Sequence, residues 1–195
     1  MSLVGKPAPE FALDGYSNGE FKTYKLSDYK GKWVLLLFYP LDFTFVCPTE
    51  VLKFHEMTPK FAEKSCQIFG VSVDSKFSHK AWVETAKGDG GLGGKLAYPL
   101  LSDIHKSMAR NYDVLIEDAG VALRGLFIID PDGLVRHATI NHLPVGRSAR
   151  EAMRVLTGFQ FVREHGDQVC PADWEEGQET MAANPQGMRD FLKKR

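Results

Sequence analysis

The chain has 195 residues, a formal net charge of −1 at pH 7, 44% hydrophobic residues and three cysteines. These values are typical of one globular domain with a hydrophobic core, and the near-zero charge argues against nucleic acid or an anionic membrane surface as partners. Residues 1–30 contain no apolar run of the kind that a signal peptide needs, and the longest apolar run, 33–39, is too short to span a membrane.

The first predicted elements are a hairpin and a central strand. Asn18-Gly19 stands between two short, partly apolar runs, and this dipeptide is typical of a two-residue β-turn. Residues 33–39 are apolar, rich in aromatic side chains and too short for a helix, so they predict a buried strand. We expect the N-terminal hairpin to cover one edge of the sheet that contains this strand.

The segment after this strand carries Cys47 at the start of a predicted helix. Pro48 suits the first helical position, where its missing N–H costs no hydrogen bond, and helix-end N–H groups favour a thiolate. A lone cysteine is more commonly a buried structural residue, but a strand, a short loop and a helix start favour a reactive one. Glu50 stands where Cys-x-x-Cys would place its second cysteine, so attack on a small oxidant fits better than dithiol exchange.

After this helix the pattern alternates between strands and helices. The predicted elements are a strand at 67–73, a helix at 78–87, a helical turn at 105–111, a hairpin of strands at 123–129 and 134–140, and a long helix at 148–165. Pro59 lies inside the first helix and predicts either a kink near Thr58 or two shorter helices. The order favours an α/β, thioredoxin-like fold, in which helices flank a central mixed β-sheet.

The glycine-rich segment 88–95 formally matches Gly-x-Gly-x-x-Gly, but it does not predict a nucleotide site. A dinucleotide fingerprint follows a strand and opens a helix, whereas here a helix precedes the glycines and none follows. The phosphate-loop pattern also fails, because Leu96 replaces the required Ser or Thr. We interpret the segment as a flexible loop.

Neither the histidines nor the cysteines form a metal-ligand pattern. His55-Glu56 begins the His-Glu-x-x-His motif, but Pro59 stands where the second histidine belongs. We expect no metal, and we expect His55, His79 and His137 to be ordinary polar or packing residues. An odd number of cysteines without a signal peptide argues against a disulfide scaffold and for thiol chemistry in the cytoplasm.

Several segments together resemble the typical 2-Cys peroxiredoxins, a group that includes the alkyl hydroperoxide reductase C components. The run Phe-Tyr-Pro-Leu-Asp-Phe-Thr-Phe-Val-Cys-Pro-Thr-Glu at 38–50 is similar to their peroxidatic motif. The match covers nearly the whole chain and continues through segments 71–75, 124–130, 143–147 and 165–172. The resemblance implies a thiol-dependent peroxidase without a cofactor.

The resemblance also implies the reaction sequence. Hydrogen peroxide or an organic hydroperoxide would oxidise Cys47 to a sulfenic acid, and Cys170 of a second subunit would convert it to an intersubunit disulfide. Thioredoxin or a related dithiol protein would then reduce this disulfide. The subunits would pair as a homodimer that assembles into a decamer. Cys66, at the start of a strand, is expected to be a buried structural residue.

The resemblance assigns five further residues to the site. Thr44 and Arg124 would contact the sulfur and the peroxide oxygens, Glu50 would orient Arg124, and Arg147 would be a cation behind them. Pro40 would help to shape the pocket. Without the resemblance, Thr44 is equally well a turn hydroxyl, and Arg124 is more simply an edge-strand arginine in a surface ion pair.

The C-terminal region differs from the rest in composition. Residues 166–195 are polar and interrupted by Gly and Pro, so we predict a C-terminal arm with Cys170 and a short final helix after Pro185, following a thioredoxin-like domain at 1–165.

Two other functions stay open: a peroxide sensor or holdase chaperone, and a disulfide reductase, which the lack of Cys-x-x-Cys disfavours. Peroxide consumption coupled to thioredoxin and its reductase would separate an enzyme from a sensor.

Overall fold

The structure is a computed structural model that describes residues 2–194. The strands are Ala12–Ser17 (β1), Glu20–Lys25 (β2), Trp33–Phe38 (β3), Cys66–Ser72 (β4), Leu100–Ser102 (β5), Leu115–Ile116 (β6), Val121–Ala122 (β7), Arg124–Ile129 (β8), Val135–Asn141 (β9), Gln168–Val169 (β10) and Met181–Ala182 (β11). The helices are Cys47–Glu63 (α1), Lys76–Glu84 (α2), Ser107–Asn111 (α3), Ala149–Glu164 (α4) and Pro185–Leu192 (α5). Among the described residues, no helix is long and apolar enough to cross a membrane.

β3 lies inside a seven-stranded mixed sheet with the order β2-β1-β5-β4-β3-β8-β9. All six residues of β3 are buried. A strand that is covered on both faces needs an uninterrupted apolar sequence, and β3 has one. β4 runs parallel to both β3 and β5, while β8 and β9 form an antiparallel hairpin beside β3. This is the predicted thioredoxin-like arrangement.

The N-terminal hairpin covers one edge of the sheet, as predicted. β1 and β2 pair antiparallel around Asn18 and Gly19, whose φ angles are 50° and 87°. Two successive positive φ angles are typical of a type I′ turn, which Asn-Gly forms at little steric cost.

Helix α1 continues through Pro59 without a break, so the expectation of two shorter helices is wrong. Phe54 and Phe61 lie on either side of the proline, both fully buried, and their rings stack with centroids 6.1 Å apart. Burial of two large aromatic side chains stabilises the helix by more than the one hydrogen bond that Pro59 removes. A kink near Thr58 stays a prediction.

The β8–β9 hairpin brings distant residues to one end of the sheet. Leu37 of β3 pairs with Leu126 of β8, so Arg124, two residues earlier on β8, lies near the end of β3 from which the chain continues to Cys47. Arg124 also pairs with Asn141, and the loop that follows β9 therefore starts at the same end.

The glycine-rich segment forms a loop, but hydrogen bonds fasten it to the end of α2. Four of its N–H groups donate to carbonyl oxygens of residues 82–86: Gly91 to Ala86, Leu92 to Trp82, Gly93 to Thr85 and Gly94 to Val83. The side chain of Leu92 is buried. The expected loop is confirmed, and its flexibility stays a prediction.

The chain divides into two compact units, residues 1–149 and 150–195. In the second unit, Trp174 is buried and packs against Phe161, with ring centroids 5.2 Å apart. α5 starts with Pro185 as predicted, and Asn184 Oδ1 caps it by accepting from the Gly187 N–H at 2.8 Å. The predicted boundary at residue 165 differs from this division and stays a prediction.

Candidate active site

Cys47 is the first residue of α1, and its side chain is fully buried. Thr44 Oγ1 lies 2.9 Å from Cys47 Sγ and 2.8 Å from the carbonyl oxygen of Leu41. A hydroxyl has one proton to donate. If Cys47 is a thiol, the Thr44 hydroxyl therefore donates to the Leu41 carbonyl oxygen and accepts from the sulfur. If Cys47 is a thiolate, the Thr44 hydroxyl donates to the sulfur.

A buried cluster of charges surrounds the sulfur. Arg124 Nη1 lies 3.5 Å from Cys47 Sγ and donates to Glu50 Oε2 at 2.7 Å, while Arg124 Nε donates to the Leu143 carbonyl oxygen at 2.6 Å. Arg147 donates to Glu50 Oε1 from both its backbone N–H and its Nε, each at 2.7 Å, and to Oε2 from Nη2 at 3.0 Å. The Glu50 carboxylate is thus held between two guanidinium groups.

Glu50 carries a negative charge between the two arginines. Burial acts to raise the pKa of Glu50, but hydrogen bonds and charge from Arg147, together with the charge of Arg124, outweigh burial and lower that pKa overall. Glu50 is therefore a carboxylate at neutral pH. Two arginines and one carboxylate leave one buried positive charge, and a Cys47 thiolate would neutralise it.

The loop between β3 and α1 is fixed by polar contacts that sequence analysis missed. Pro40 is buried at its start. Asp42 Oδ1 accepts from the Tyr39 hydroxyl at 2.9 Å, and Asp42 Oδ2 lies 2.9 Å from His79 Nδ1. His79 Nε2 lies 3.1 Å from the Leu101 carbonyl oxygen, so both ring nitrogens have partners. Nothing in the sequence pairs Asp42 with a histidine in a different element.

The histidines considered as metal ligands all have ordinary partners. His55 Nδ1 accepts from the Ala97 N–H at 3.0 Å, and His137 Nε2 lies 2.8 Å from Thr139 Oγ1. Within residues 2–194, no three His, Cys, Asp or Glu side chains are grouped so that they could hold a metal ion.

All three cysteines are free thiols. Cys66 is buried at the start of β4, as predicted, and burial raises the pKa of its thiol. Cys170 belongs to the second unit, where its partly exposed Sγ lies 3.8 Å from the Gly158 carbonyl oxygen and lines a groove beside Trp174. Burial raises the pKa of Cys170, and the charge of Arg154 offsets only part of this effect.

Comparison with known proteins identifies the family. Residues 4–138 match the AhpC/TSA family. The chain belongs to this family. Residues 158–194 of this peroxiredoxin match the C-terminal domain of 1-Cys peroxiredoxin. Peroxiredoxin tpx1 of Schizosaccharomyces pombe is 57% identical over 188 residues, which cover 95% of this chain and 97% of the relative.

Other relatives and a solved structure agree with this assignment. Peroxiredoxin-2 of Rattus norvegicus is 51% identical over 191 residues, covering 98% of this peroxiredoxin and 96% of the relative. The crystal structure of reduced Plasmodium vivax 2-Cys peroxiredoxin superposes with a TM-score of 0.96 at 39% identity, covering 99% of this chain and all of that one. The predicted resemblance is confirmed, and the protein is an oxidoreductase with thiol-dependent peroxidase activity.

Proposed function

We propose that this peroxiredoxin reduces hydrogen peroxide and organic hydroperoxides through a sulfenic acid on Cys47. The proposal rests on one buried sulfur that lies within hydrogen-bond reach of both Thr44 Oγ1 and Arg124 Nη1, at 2.9 and 3.5 Å. The thiolate attacks the peroxide oxygen that bears hydrogen, and the S–O bond forms as the O–O bond breaks. The other oxygen leaves with the electron pair and takes a proton, so the sulfur is oxidised by two electrons and the peroxide becomes water or an alcohol.

Thr44 and Arg124 have complementary roles in this step. Once the sulfur is a thiolate, the Thr44 hydroxyl can donate to it or to a peroxide oxygen that approaches it. The Arg124 guanidinium is held by the Leu143 carbonyl oxygen and by Glu50, so its donors are fixed before the peroxide binds. Preorganised donors stabilise the negative charge that develops on the leaving oxygen.

Glu50, Arg147 and Pro40 support these groups. Glu50 orients Arg124, and Arg147 anchors Glu50 through three hydrogen bonds while its Nη1 donates to the Gly125 carbonyl oxygen at 2.5 Å. Pro40 is buried at the start of the loop that carries Thr44, and its ring helps to keep water from the sulfur.

Replacing Arg124 by lysine is expected to slow the reaction of Cys47 with peroxide by about ten- to a hundred-fold. The charge is kept, but a single ammonium group cannot reproduce the contacts to Leu143, Glu50 and Cys47 together, and a charged hydrogen bond contributes about 1.5–3 kcal/mol. The measurement is the second-order rate constant from stopped-flow mixing with hydrogen peroxide.

Arg136→Lys is the matched control for this substitution. Arg136 lies on the same hairpin as Arg124, is partly exposed and forms an ion pair with Asp130. The rate constant of Arg136→Lys should therefore stay within about two-fold of the wild-type value. An equal rate constant for Arg124→Lys and Arg136→Lys would contradict a role for Arg124 in the reaction.

Cys170 completes the proposed cycle. Its thiol condenses with the sulfenic acid on Cys47 of a second subunit, forming an S–S bond and releasing water, and thioredoxin or a related dithiol protein then reduces the disulfide. β9 is an edge strand of the sheet, and Ile140 on it is exposed, which supports pairing of two copies edge to edge. The proposal includes assembly of the homodimer into a decamer and a cytoplasmic location.

Cys170→Ser is expected to reduce about one equivalent of peroxide per subunit and then to stop. A small thiol added in excess should restore turnover, because it can reduce the sulfenic acid directly. Wild-type protein treated with peroxide should migrate as a covalent dimer on a non-reducing gel. A disulfide found only within single chains by mass spectrometry would contradict the intersubunit step.

The whole cycle is tested by peroxide consumption coupled to thioredoxin and thioredoxin reductase. Sustained NADPH oxidation that depends on this protein supports the proposed enzyme. Oxidation of the protein without recycling in this assay would contradict the proposed turnover and favour a sensor or holdase instead.

A further inference from the structure

We propose that Tyr98 and His55 are positioning residues for the peroxidase reaction, because they fasten residues 97–98 to α1 at Val51 and His55, about one and two helical turns after Cys47. We call these two hydrogen bonds the 97–98 clamp. The proposal rests on the proposed function of Cys47 as the residue that is oxidised and then joined to Cys170.

The first contact of the clamp is made by the Tyr98 hydroxyl. It donates to the carbonyl oxygen of Val51 at 2.8 Å, and Val51 directly follows Glu50 in α1. Burial raises the pKa of Tyr98 well above its ordinary value, and the Glu50 charge adds to this effect while the Arg147 charge opposes it. The hydroxyl therefore stays protonated and can donate at any working pH.

The Tyr98 ring lies against Gly70 of the central strand β4. A Cβ atom at Gly70 of β4 would come within 3.4 Å of Tyr98 Cε2 and 2.6 Å of Leu100 Cδ2. The ring therefore lies directly on the backbone of a central strand, while its hydroxyl bonds to the helix. Tyr98 thus links the position of α1 to the central strand of the sheet.

The second contact of the clamp is made by the His55 ring. The Ala97 N–H donates to His55 Nδ1 at 3.0 Å, and a backbone N–H can only donate, so Nδ1 carries no proton in this state. A side chain without an acceptor at this position would lose the bond.

The clamp opposes a movement that the disulfide step requires. Cys47 Sγ is fully buried between Thr44 and Arg124, so the first turn of α1 has to unwind before any second thiol can reach it. The reaction with peroxide needs the opposite, a folded turn in which Glu50 holds Arg124. A weaker clamp should therefore accelerate disulfide formation and slightly slow the reaction with peroxide.

Tyr98→Phe tests the first contact by removing a single oxygen atom. Val51 is inside a helix, so its carbonyl oxygen keeps its helical partner, and the variant is expected to fold. Rapid-quench mixing with peroxide, followed by alkylation and mass spectrometry, resolves the peroxide-dependent oxidation of Cys47 from the later disulfide step. We expect disulfide formation to be about 3- to 10-fold faster and Cys47 oxidation at most about 3-fold slower.

Tyr112→Phe is the matched control. Tyr112 and Tyr98 are each 1% exposed, and the Tyr112 hydroxyl donates to the Pro9 carbonyl oxygen at 2.9 Å, not to α1. Loss of the Tyr112 hydroxyl should lower the free energy of unfolding by about as much as loss of the Tyr98 hydroxyl. The rates of Cys47 oxidation and of disulfide formation should nevertheless stay within about two-fold of the wild-type rates. Equal disulfide rates in Tyr98→Phe and Tyr112→Phe would overturn the role of Tyr98.

His55 is tested by two substitutions that differ in whether they keep an acceptor. His55→Leu removes the acceptor and should accelerate disulfide formation at about pH 7.5, whereas His55→Asn places an oxygen where Nδ1 stands and should return most of the wild-type rate. Equal disulfide rates in His55→Leu and His55→Asn, or a His55→Leu rate equal to that of wild type, would overturn the role of His55.

Failure of the clamp and failure of the proposed function give different results. If wild-type Cys47 forms no sulfenic acid or no disulfide, the proposed function is wrong. If both steps occur in wild type but Tyr98→Phe and the His55 variants match their controls, only the clamp is wrong.

Discussion

Cys47→Ser is expected to abolish peroxide turnover completely, leaving only the rate of the assay without enzyme. A serine hydroxyl stays protonated at neutral pH even beside Arg124 and the start of α1, and its oxygen cannot form a sulfenic acid. The buried Arg–Glu–Arg cluster would remain, so the variant should still fold. The measurement is peroxide consumption with thioredoxin and its reductase present in excess.

Cys66→Ser is the matched control, because it makes the same chemical change at a buried thiol outside the cluster. The pKa of Cys66 is raised by burial, so its thiol is unreactive near neutral pH. The variant should keep turnover, although burying a hydroxyl there lowers the free energy of unfolding by about 1–3 kcal/mol. Turnover that survives in Cys47→Ser and disappears in Cys66→Ser would reverse the assignment of the nucleophile.

Glu50→Gln is expected to lower the free energy of unfolding by about 3–5 kcal/mol, because it leaves two buried guanidinium groups without a counter-charge. Glu50 accepts four hydrogen bonds, three from Arg147 and one from Arg124. The amide cannot accept all of them, and its own N–H groups would face donors. Reaction with peroxide should slow as well, since Arg124 loses the carboxylate that orients it.

Chemical denaturation of Glu50→Gln and Glu56→Gln gives the comparison. Glu56 lies on the same helix, but its side chain is 61% exposed and forms a surface ion pair with Lys53. Its loss should therefore change the free energy of unfolding by at most about 0.5 kcal/mol. Equal denaturation midpoints would contradict the importance of the buried cluster.

The same carboxylate makes stability depend on pH. The pKa of Glu50 is lowered in the folded state, so its stabilising contribution is complete at neutral pH. It is lost as the pH falls through the ordinary carboxyl range and below it. The acid-side decline in the free energy of unfolding should therefore be shallower in Glu50→Gln than in wild type.

The sequence was sufficient to predict the elements whose signal is local. The apolar run that becomes β3, the Asn18-Gly19 turn and the helix start at Cys47 each depend on residues within a few positions of one another. Pro59 is the exception, because its local preference to break a helix is outweighed by the burial of Phe54 and Phe61. Tertiary packing decided that case, and packing cannot be read from a single segment.

The site was predictable only where a motif supplied it. Arg124 heads an apolar strand, and without the resemblance to peroxiredoxins a surface ion pair was the simpler interpretation. The link from Tyr98 to Val51 and the Asp42–His79 contact join residues far apart in sequence. No periodicity or spacing rule connects them, so only the fold reveals them. In the loop at 88–95, the backbone hydrogen bonds to carbonyl oxygens of residues 82–86 could not be inferred from glycine content.

The central claim, that Cys47 is the thiolate that peroxide oxidises, is tested most directly by trapping the sulfenic acid. Cys170→Ser protein would be mixed with about one equivalent of hydrogen peroxide in the presence of dimedone, which reacts selectively with sulfenic acids, and digested for mass spectrometry. Our account predicts one dimedone adduct, on the peptide that contains Cys47, and its disappearance in a Cys47→Ser, Cys170→Ser double variant. An adduct on Cys66 in place of Cys47, or an unmodified Cys47 after the peroxide has been consumed, would contradict it.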